Sequence, residues 1–201
     1  MFVQRQAAEW AVLADAVGDV DRDKILAVSA RLSELDKVKL GQLQLMDPFG
    51  RGNPEFWLLY DRAGLGLPAG LWQRQVRLMA WLTNWTQPER ASVGPHNPFR
   101  SLGGVLRQTG YPEGRLLRLL SCPAADRWKH LDHLSRWLGP RWDGKGVDCL
   151  ALWQLQHSIG RAVERQIAGD YFEAELARNE RGALALPKRG LIEAISRKLG
   201  F

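Results

Sequence analysis

The chain has 201 residues, of which 45% are hydrophobic and 25% charged. This composition supplies enough apolar side chains for a core and is not that of an intrinsically disordered chain. Two cysteines are too few for a disulfide scaffold, and no apolar run approaches the ~20 residues of a membrane span. The first residues show no secretory signal pattern. We therefore expect a cytoplasmic protein with reduced thiols.

Apolar residues recur at helical spacing through the first half of the chain. The spacing predicts helices over residues 4–17, 22–35 and 37–46. Asn53 followed by Pro54 is typical of a helix start, and that helix should end near Gly64. Pro68 is expected to open a strongly apolar helix that reaches Trp85.

The second half repeats this pattern after a loop at residues 86–98, which contains three prolines and a glycine. Helices are predicted over 99–109, from Pro112, and from Pro123 to Gly139. Asp148 should cap a long helical stretch from Cys149 to about Asn179, with a kink at Gly160.

Since no segment alternates with the period of a strand, the predicted fold is all-α, with two small helical bundles packed together and joined by a Pro/Gly-containing loop. The predicted division is an N-terminal bundle, a loop, a C-terminal bundle with most of the basic excess, and a basic amphipathic tail. Their bounds are 1–90, 91–98, 99–185 and 186–201.

The positive charge is concentrated in one part of the chain. Residues 95–141 hold eight Lys or Arg and only three Asp or Glu, which accounts for most of the net charge of +6. Seven of those eight cations are arginine, whose planar fork binds phosphate with two hydrogen bonds. We therefore expect a nucleic-acid backbone to be held by basic residues on several short helices. The predicted contacts are Arg107, Arg115, Arg118, Arg127, Lys129, Arg136, Arg141, Arg161 and Arg165.

One helix illustrates the expected arrangement. Leu131, Leu134 and Leu138 should share one face, while Lys129, His133 and Arg136 lie on the opposite one. The alternative interpretation is that such charges are simply solvated.

The chain contains nine tryptophans, which could stack on bases. Most of them follow apolar helical stripes and are expected to pack in the core: Trp10, Trp72, Trp81, Trp85, Trp128 and Trp137. Trp142, in a loop after Arg141, is the tryptophan expected at the surface.

Signals for catalysis are weak. His130 and His133 lie three residues apart, with Cys122 and Cys149 on either side, but the chain has no CxxC or HExxH zinc motif. The glycines of residues 64–70 lack the lysine of a phosphate-binding loop, and no GxSxG motif occurs. The expectation is a protein that is not an enzyme and has no cofactor or metal, with a metal-dependent nuclease as a disfavoured alternative.

Five segments, in order, give the chain a resemblance to a known family. They are PFGRGNPEF at 48–56, FRSLGGVL at 99–106, EGRLLRLLSCPAADRWKHLDHLSRWL at 113–138, VDCLALWQLQHSI at 147–159 and VERQIAGDYF at 163–172. Together they resemble the small subunit (CasB family) of Cascade, the type I-E CRISPR surveillance complex. The chain departs from the family at Gly104, where an arginine is often found, and in the tail 186–201.

This resemblance implies an all-helical, non-catalytic subunit of an antiviral complex. Its partners would be guide RNA, the target and displaced DNA strands, the backbone and large subunits of Cascade, and a second copy of itself. In such systems base pairing reads the sequence and the protein holds the backbone of the R-loop. The alternative is a helical protein–protein interaction subunit without direct nucleic-acid contact.

Overall fold

The structure is a computed structural model that describes residues 22–66, 68–83, 94–141, 145–157 and 161–179. Within these ranges the chain is almost entirely helical, which confirms the predicted all-α class. None of the described helices is both long and apolar enough to cross a membrane. The helices are α1 (22–33), α2 (Lys37–Leu45), α3 (Pro54–Arg62), α4 (Ala69–Leu82), α5 (Leu102–Gln108), α6 (Glu113–Ser121), α7 (Ala124–Leu138), α8 (Cys149–His157) and α9 (Ala162–Asn179), and a 3₁₀ turn at Gly139–Arg141 follows α7.

Side-chain caps explain where several helices begin. The side-chain oxygen of Asn53 accepts a hydrogen bond from the amide of Phe56 at 2.8 Å, as the Asn-Pro pattern predicts. Ser101 caps α5 in the same way, so that helix begins at Leu102 rather than at Phe99. Within the stretch predicted to be helical from Cys149 to Asn179 the structure describes two helices, α8 and α9, and the kink predicted at Gly160 lies outside the described residues.

Helix α4 lies at the centre of the continuous hydrophobic core that the described residues form. Trp72 of α4 stacks on Trp153 of α8 with ring centroids 4.2 Å apart. The amide of Gln75 donates to the carbonyl oxygen of Cys149 at 3.0 Å. Because buried residues from both sides of the predicted loop belong to this one cluster, the described part of the chain shows no gap between two bundles, and the boundary at 91–98 stays a prediction.

The described end of the predicted loop, residues 94–98, contacts the start of α8. His96 and Val147 form an isolated parallel bridge, the only strand-like pairing in the described ranges. Nδ1 of His96 accepts a hydrogen bond from the amide of Cys149 at 3.1 Å. Burial lowers the pKa of His96, and burial together with the charge of Asp148 raises the pKa of the Cys149 thiol. Both groups are therefore held neutral in the interior.

Helices α5 and α9 approach each other closely at a glycine. Gly103 is buried, and a Cβ built there would clash with the carbonyl oxygen of Ile167 and lie 2.8 Å from the Cβ of Asp170. The first glycine of the Ser-Leu-Gly-Gly segment is thus explained by packing, since only glycine lets the two backbones come this near.

We expect Gly103→Ala to destabilise the protein by about 1–3 kcal/mol, because the added methyl group must push α5 away from α9. The measurement is urea unfolding followed by circular dichroism. Gly41→Ala is the control: it lies within α2, and an added methyl group there would have no atom within 4 Å, so it should stabilise by about 0.5–1 kcal/mol. Equal effects at the two sites would contradict the close approach.

Candidate nucleic-acid interface

Helix α7 has the two faces that its sequence predicts. Leu131, Leu134 and Leu138 are fully buried. Lys129, His133 and Arg136 are exposed, and they form one stripe because they lie four and three residues apart. The rise of an α-helix places them about 6 Å and about 4.5 Å apart along the axis. This stripe can follow a run of phosphates.

Arg136 shares a carboxylate partner, Asp132, with a buried arginine. Nη2 of Arg136 lies 2.9 Å from one oxygen of Asp132, and Nε of the buried Arg77 lies 2.9 Å from the other. The guanidinium of Arg136 also lies over the ring of Trp81, 5.4 Å from its centroid. Two cations with one carboxylate leave a net positive charge at this point of the stripe, and both contacts hold Arg136 in place.

Helix α6 presents two further arginines. Arg115 and Arg118 lie three residues apart on its exposed face, while Leu116, Leu119 and Leu120 on the other face are buried. Within the described part of the chain neither arginine forms a salt bridge. An exposed cation without a carboxylate partner gives up no ion pair when it binds a phosphate, so these two residues are the strongest candidates.

A row of aromatic rings positions two more of the predicted residues. The hydroxyl of Tyr171 donates to the carbonyl oxygen of Tyr111 at 2.7 Å, and Tyr111 meets Trp137 edge-on with centroids 5.0 Å apart. Arg107 lies over Tyr171 at 5.5 Å, and Arg141 lies over Trp137 at 4.7 Å. The structure therefore brings the C-terminal ends of α5 and α7 and the middle of α9 together around shared aromatic contacts.

Arg161 and Arg165 lie apart from these groups along the chain. Arg161 directly precedes α9 and Arg165 lies in its first turn, and both are exposed. Their spacing of four residues puts them on one face, as predicted. They add positive charge at the start of α9, which is a separate element from the helix that carries the α7 stripe.

Arg127 is a correction to the predicted set. Its side chain is 7% exposed, and Nη1 lies 2.8 Å from Glu164, whose side chain is 3% exposed. The same guanidinium donates to the carbonyl oxygens of Leu155 at 2.9 Å and Cys122 at 3.3 Å. Arg127 therefore joins α6, α8 and α9 in the interior, and a phosphate has no access to it.

The residues considered for a metal do not form one cluster. His133 is exposed on the α7 stripe, His130 is half-buried, and Cys149 is buried beside His96. In the described residues no group of three or more His, Cys, Asp or Glu side chains is placed to hold a metal ion.

The tryptophan predictions are confirmed for the most part where they can be compared. Trp72 and Trp128 are buried, and Trp81 and Trp137 are partly buried. Trp10, Trp85 and Trp142 lie outside the described residues. The structure adds Trp57 of α3, which is partly exposed and whose indole nitrogen donates to the carbonyl oxygen of Arg51 at 2.8 Å.

The sequence pattern does not predict the exposure of one aromatic residue. Phe49, in the loop between α2 and α3, has 70% of its surface exposed, yet its ring contacts both Trp128 and Arg74. In the sequence, Phe49 stands between a proline and a glycine, which predicts a loop. Because a loop residue belongs to no helical face, the spacing of apolar residues could not predict that its ring is exposed.

Comparison of the chain with protein-family models, with curated proteins and with solved structures gives no significant match.

Proposed function

We propose that this chain is the non-catalytic small subunit of an RNA-guided CRISPR interference complex of the Cascade type I-E class, acting in antiviral defence. The observation that carries the proposal is the pair Arg115 and Arg118, which are exposed on α6 and have no carboxylate partner among the described residues. The next helix in the sequence, α7, presents Lys129 and Arg136. The ordered resemblance of residues 48–172 to the CasB family supports it.

The proposed action is electrostatic and independent of base sequence. Arginine and lysine side chains replace counterions along a phosphate backbone, and the released ions supply the free energy of binding. Base pairing between guide and target reads the sequence, so the subunit has only to hold the strands apart and in place. The proposed contacts are Arg107, Arg115, Arg118, Lys129, Arg136, Arg141, Arg161 and Arg165.

The proposed partners follow from this action and from the resemblance to the CasB family. They are the guide RNA, the target and displaced DNA strands of the R-loop, the backbone and large subunits of the complex, and a second copy of the chain, all in the cytoplasm. The function requires no cofactor and no catalytic group.

The test is assembly. We expect the chain, affinity-tagged and co-expressed with the remaining type I-E subunits and a CRISPR RNA, to purify with that RNA. We also expect the complex that contains it to hold an R-loop longer than the complex that lacks it, as measured by the dissociation rate of labelled target DNA. A chain that purifies without RNA, together with equal R-loop lifetimes, would refute the proposal.

A second function is favoured by one specific observation. Val38 and Leu45 lie seven residues apart on one face of α2 and are 70% and 80% exposed. An exposed apolar face of this kind is typical of protein–protein contacts. If the chain serves only as a helical interaction subunit, replacing both residues with glutamate should prevent its incorporation, while loss of Arg115 and Arg118 should leave R-loop lifetime unchanged.

A further inference from the structure

The loop between α2 and α3 holds an aromatic ring at the surface. Phe49 is 70% exposed, and its ring meets that of Trp128 edge-on, with centroids 6.3 Å apart and planes at 84°. The guanidinium carbon of Arg74 lies 5.6 Å from the centroid of the same ring. The ring thus has one aromatic and one cationic neighbour while most of its surface stays open to solvent.

Hydrogen bonds hold this loop in one shape. A carboxylate oxygen of Asp47 accepts from the amide of Phe49 at 3.0 Å, and the carbonyl oxygen of Asp47 accepts from the amide of Gly50 and from the side chain of Gln73. Further along, the indole of Trp57 donates to the carbonyl oxygen of Arg51. The ring is therefore presented by a fixed loop, and a ligand that stacks on it need not order the loop first.

Arg74 has no polar partner in the part of the chain that the structure describes. Its side chain is half-buried, and in the described residues it forms neither a salt bridge nor a side-chain hydrogen bond, with its Nε fully buried and unsatisfied. Burial also lowers the pKa of Arg74. A cation in this condition is stabilised by an anionic ligand and destabilised by an apolar one, which would remove it further from water.

The charged groups around the ring agree with this. Arg51 is exposed two residues after Phe49, and Lys129 follows Trp128 on the exposed stripe of α7. On the acidic side are Asp47, one of whose oxygens is occupied by the amide of Phe49, and Asp126, which lies 3.9 Å from Lys129. Counted together with Arg74, these segments carry three cations and two carboxylates.

We propose that Phe49 and Arg74 form a stacking site for an unpaired base of single-stranded nucleic acid, with Phe49 taking the base and Arg74 the adjoining phosphate. A nucleotide carries a flat π-face and an anion side by side, and this pair offers a ring and a cation in contact. The site rests on the proposed function and extends it: bases as well as backbone contribute to holding a single strand.

The test compares oligonucleotides that carry bases with oligonucleotides of the same sugar–phosphate backbone that carry none. Labelled oligomers of about 16 nucleotides, one of thymidine and one of uridine, each with an abasic partner built on the same sugar, are titrated with the full chain at low salt by fluorescence anisotropy. Wild type should bind at least one base-containing oligomer more tightly than its abasic partner. A preference between thymidine and uridine identifies DNA or RNA as the strand.

Variants assign the preference to the ring. Phe49→Ala should weaken binding of the base-containing oligomer by about 5- to 100-fold and leave abasic binding unchanged, whereas Phe49→Trp should keep the preference. Phe49→Leu, which keeps apolar bulk but lacks a π-face, should behave as the alanine variant, so a folding defect is separated from loss of stacking. Phe99→Ala is the matched control, since Phe99 is 94% exposed in another loop.

Two outcomes would overturn the stacking site. One is a wild-type protein that binds base-containing and abasic oligomers equally, which would leave the backbone contacts of the proposed function standing. The other is Phe49→Ala binding as tightly as wild type. If no oligomer binds, the stacking site is refuted for this chain, and the co-purification experiment decides the proposed function separately.

Discussion

Replacing Glu164 with leucine is expected to lower the free energy of unfolding by about 3–5 kcal/mol. The substitution leaves the guanidinium of Arg127 buried without the carboxylate that lies 2.8 Å from it in the native protein. Taking an ion out of water costs several kcal/mol, and without its partner that cost is no longer offset. Chemical unfolding monitored by circular dichroism measures the loss directly.

The double variant Arg127→Met with Glu164→Leu should recover most of that stability, because it removes both charges and fills the space with apolar groups of similar size. We expect a residual loss of about 1–3 kcal/mol, since the carbonyl oxygens of Leu155 and Cys122 lose the donor that Arg127 supplies. If Arg127→Met alone left stability unchanged and weakened nucleic-acid binding, Arg127 would be a surface contact and its placement in the interior would be wrong.

Replacing Arg115 and Arg118 with glutamine should reduce affinity for single-stranded nucleic acid on the order of 50-fold at ~50 mM salt. Affinity varies with salt to the power of about −0.7 for each phosphate contact on a single strand, so the slope of log affinity against log salt should flatten by about 1.4. The measurement is anisotropy with an oligothymidine across a salt series. Stability should change little because both side chains are exposed.

The matched control for this double variant is Arg22→Gln with Arg62→Gln. Both control residues are exposed, on α1 and α3, and the substitution lowers the net charge by the same amount. A general charge effect would weaken binding equally in the two double variants and would argue against a site on α6. If only the variant at Arg115 and Arg118 loses affinity, the contact with nucleic acid lies on α6.

The parts of this fold that the sequence predicts are those governed by local spacing. The two faces of α7 follow from the helical period, which places Lys129 and Arg136 opposite Leu131 and Leu134. The cap at Asn53 follows from the chemistry of a single turn. Such features depend on residues within a few positions of each other, so one sequence is enough to predict them.

The features that the sequence does not predict depend on partners distant along the chain. Its spacing of four and seven residues from Leu131 and Leu134 places Arg127 on the buried face of α7, but the carboxylate that pairs with it there belongs to Glu164 on another helix. The glycine at position 103 is explained only by the backbone of α9. The contact of Phe49 with Arg74 and Trp128 likewise needs three separate segments to meet.

The polar contacts around α4 have a consequence for which substitutions the protein tolerates. Gln75 and Arg77 of α4 donate to the carbonyl oxygens of Cys149 and Met46, and Gln44 of α2 donates to that of Ala80. A backbone carbonyl is supplied by every amino acid, so these hydrogen bonds do not depend on which side chain stands at the three accepting positions, all of which are buried. Mutational tolerance should therefore be asymmetric, with the donors intolerant and the accepting positions open to apolar side chains of matching volume.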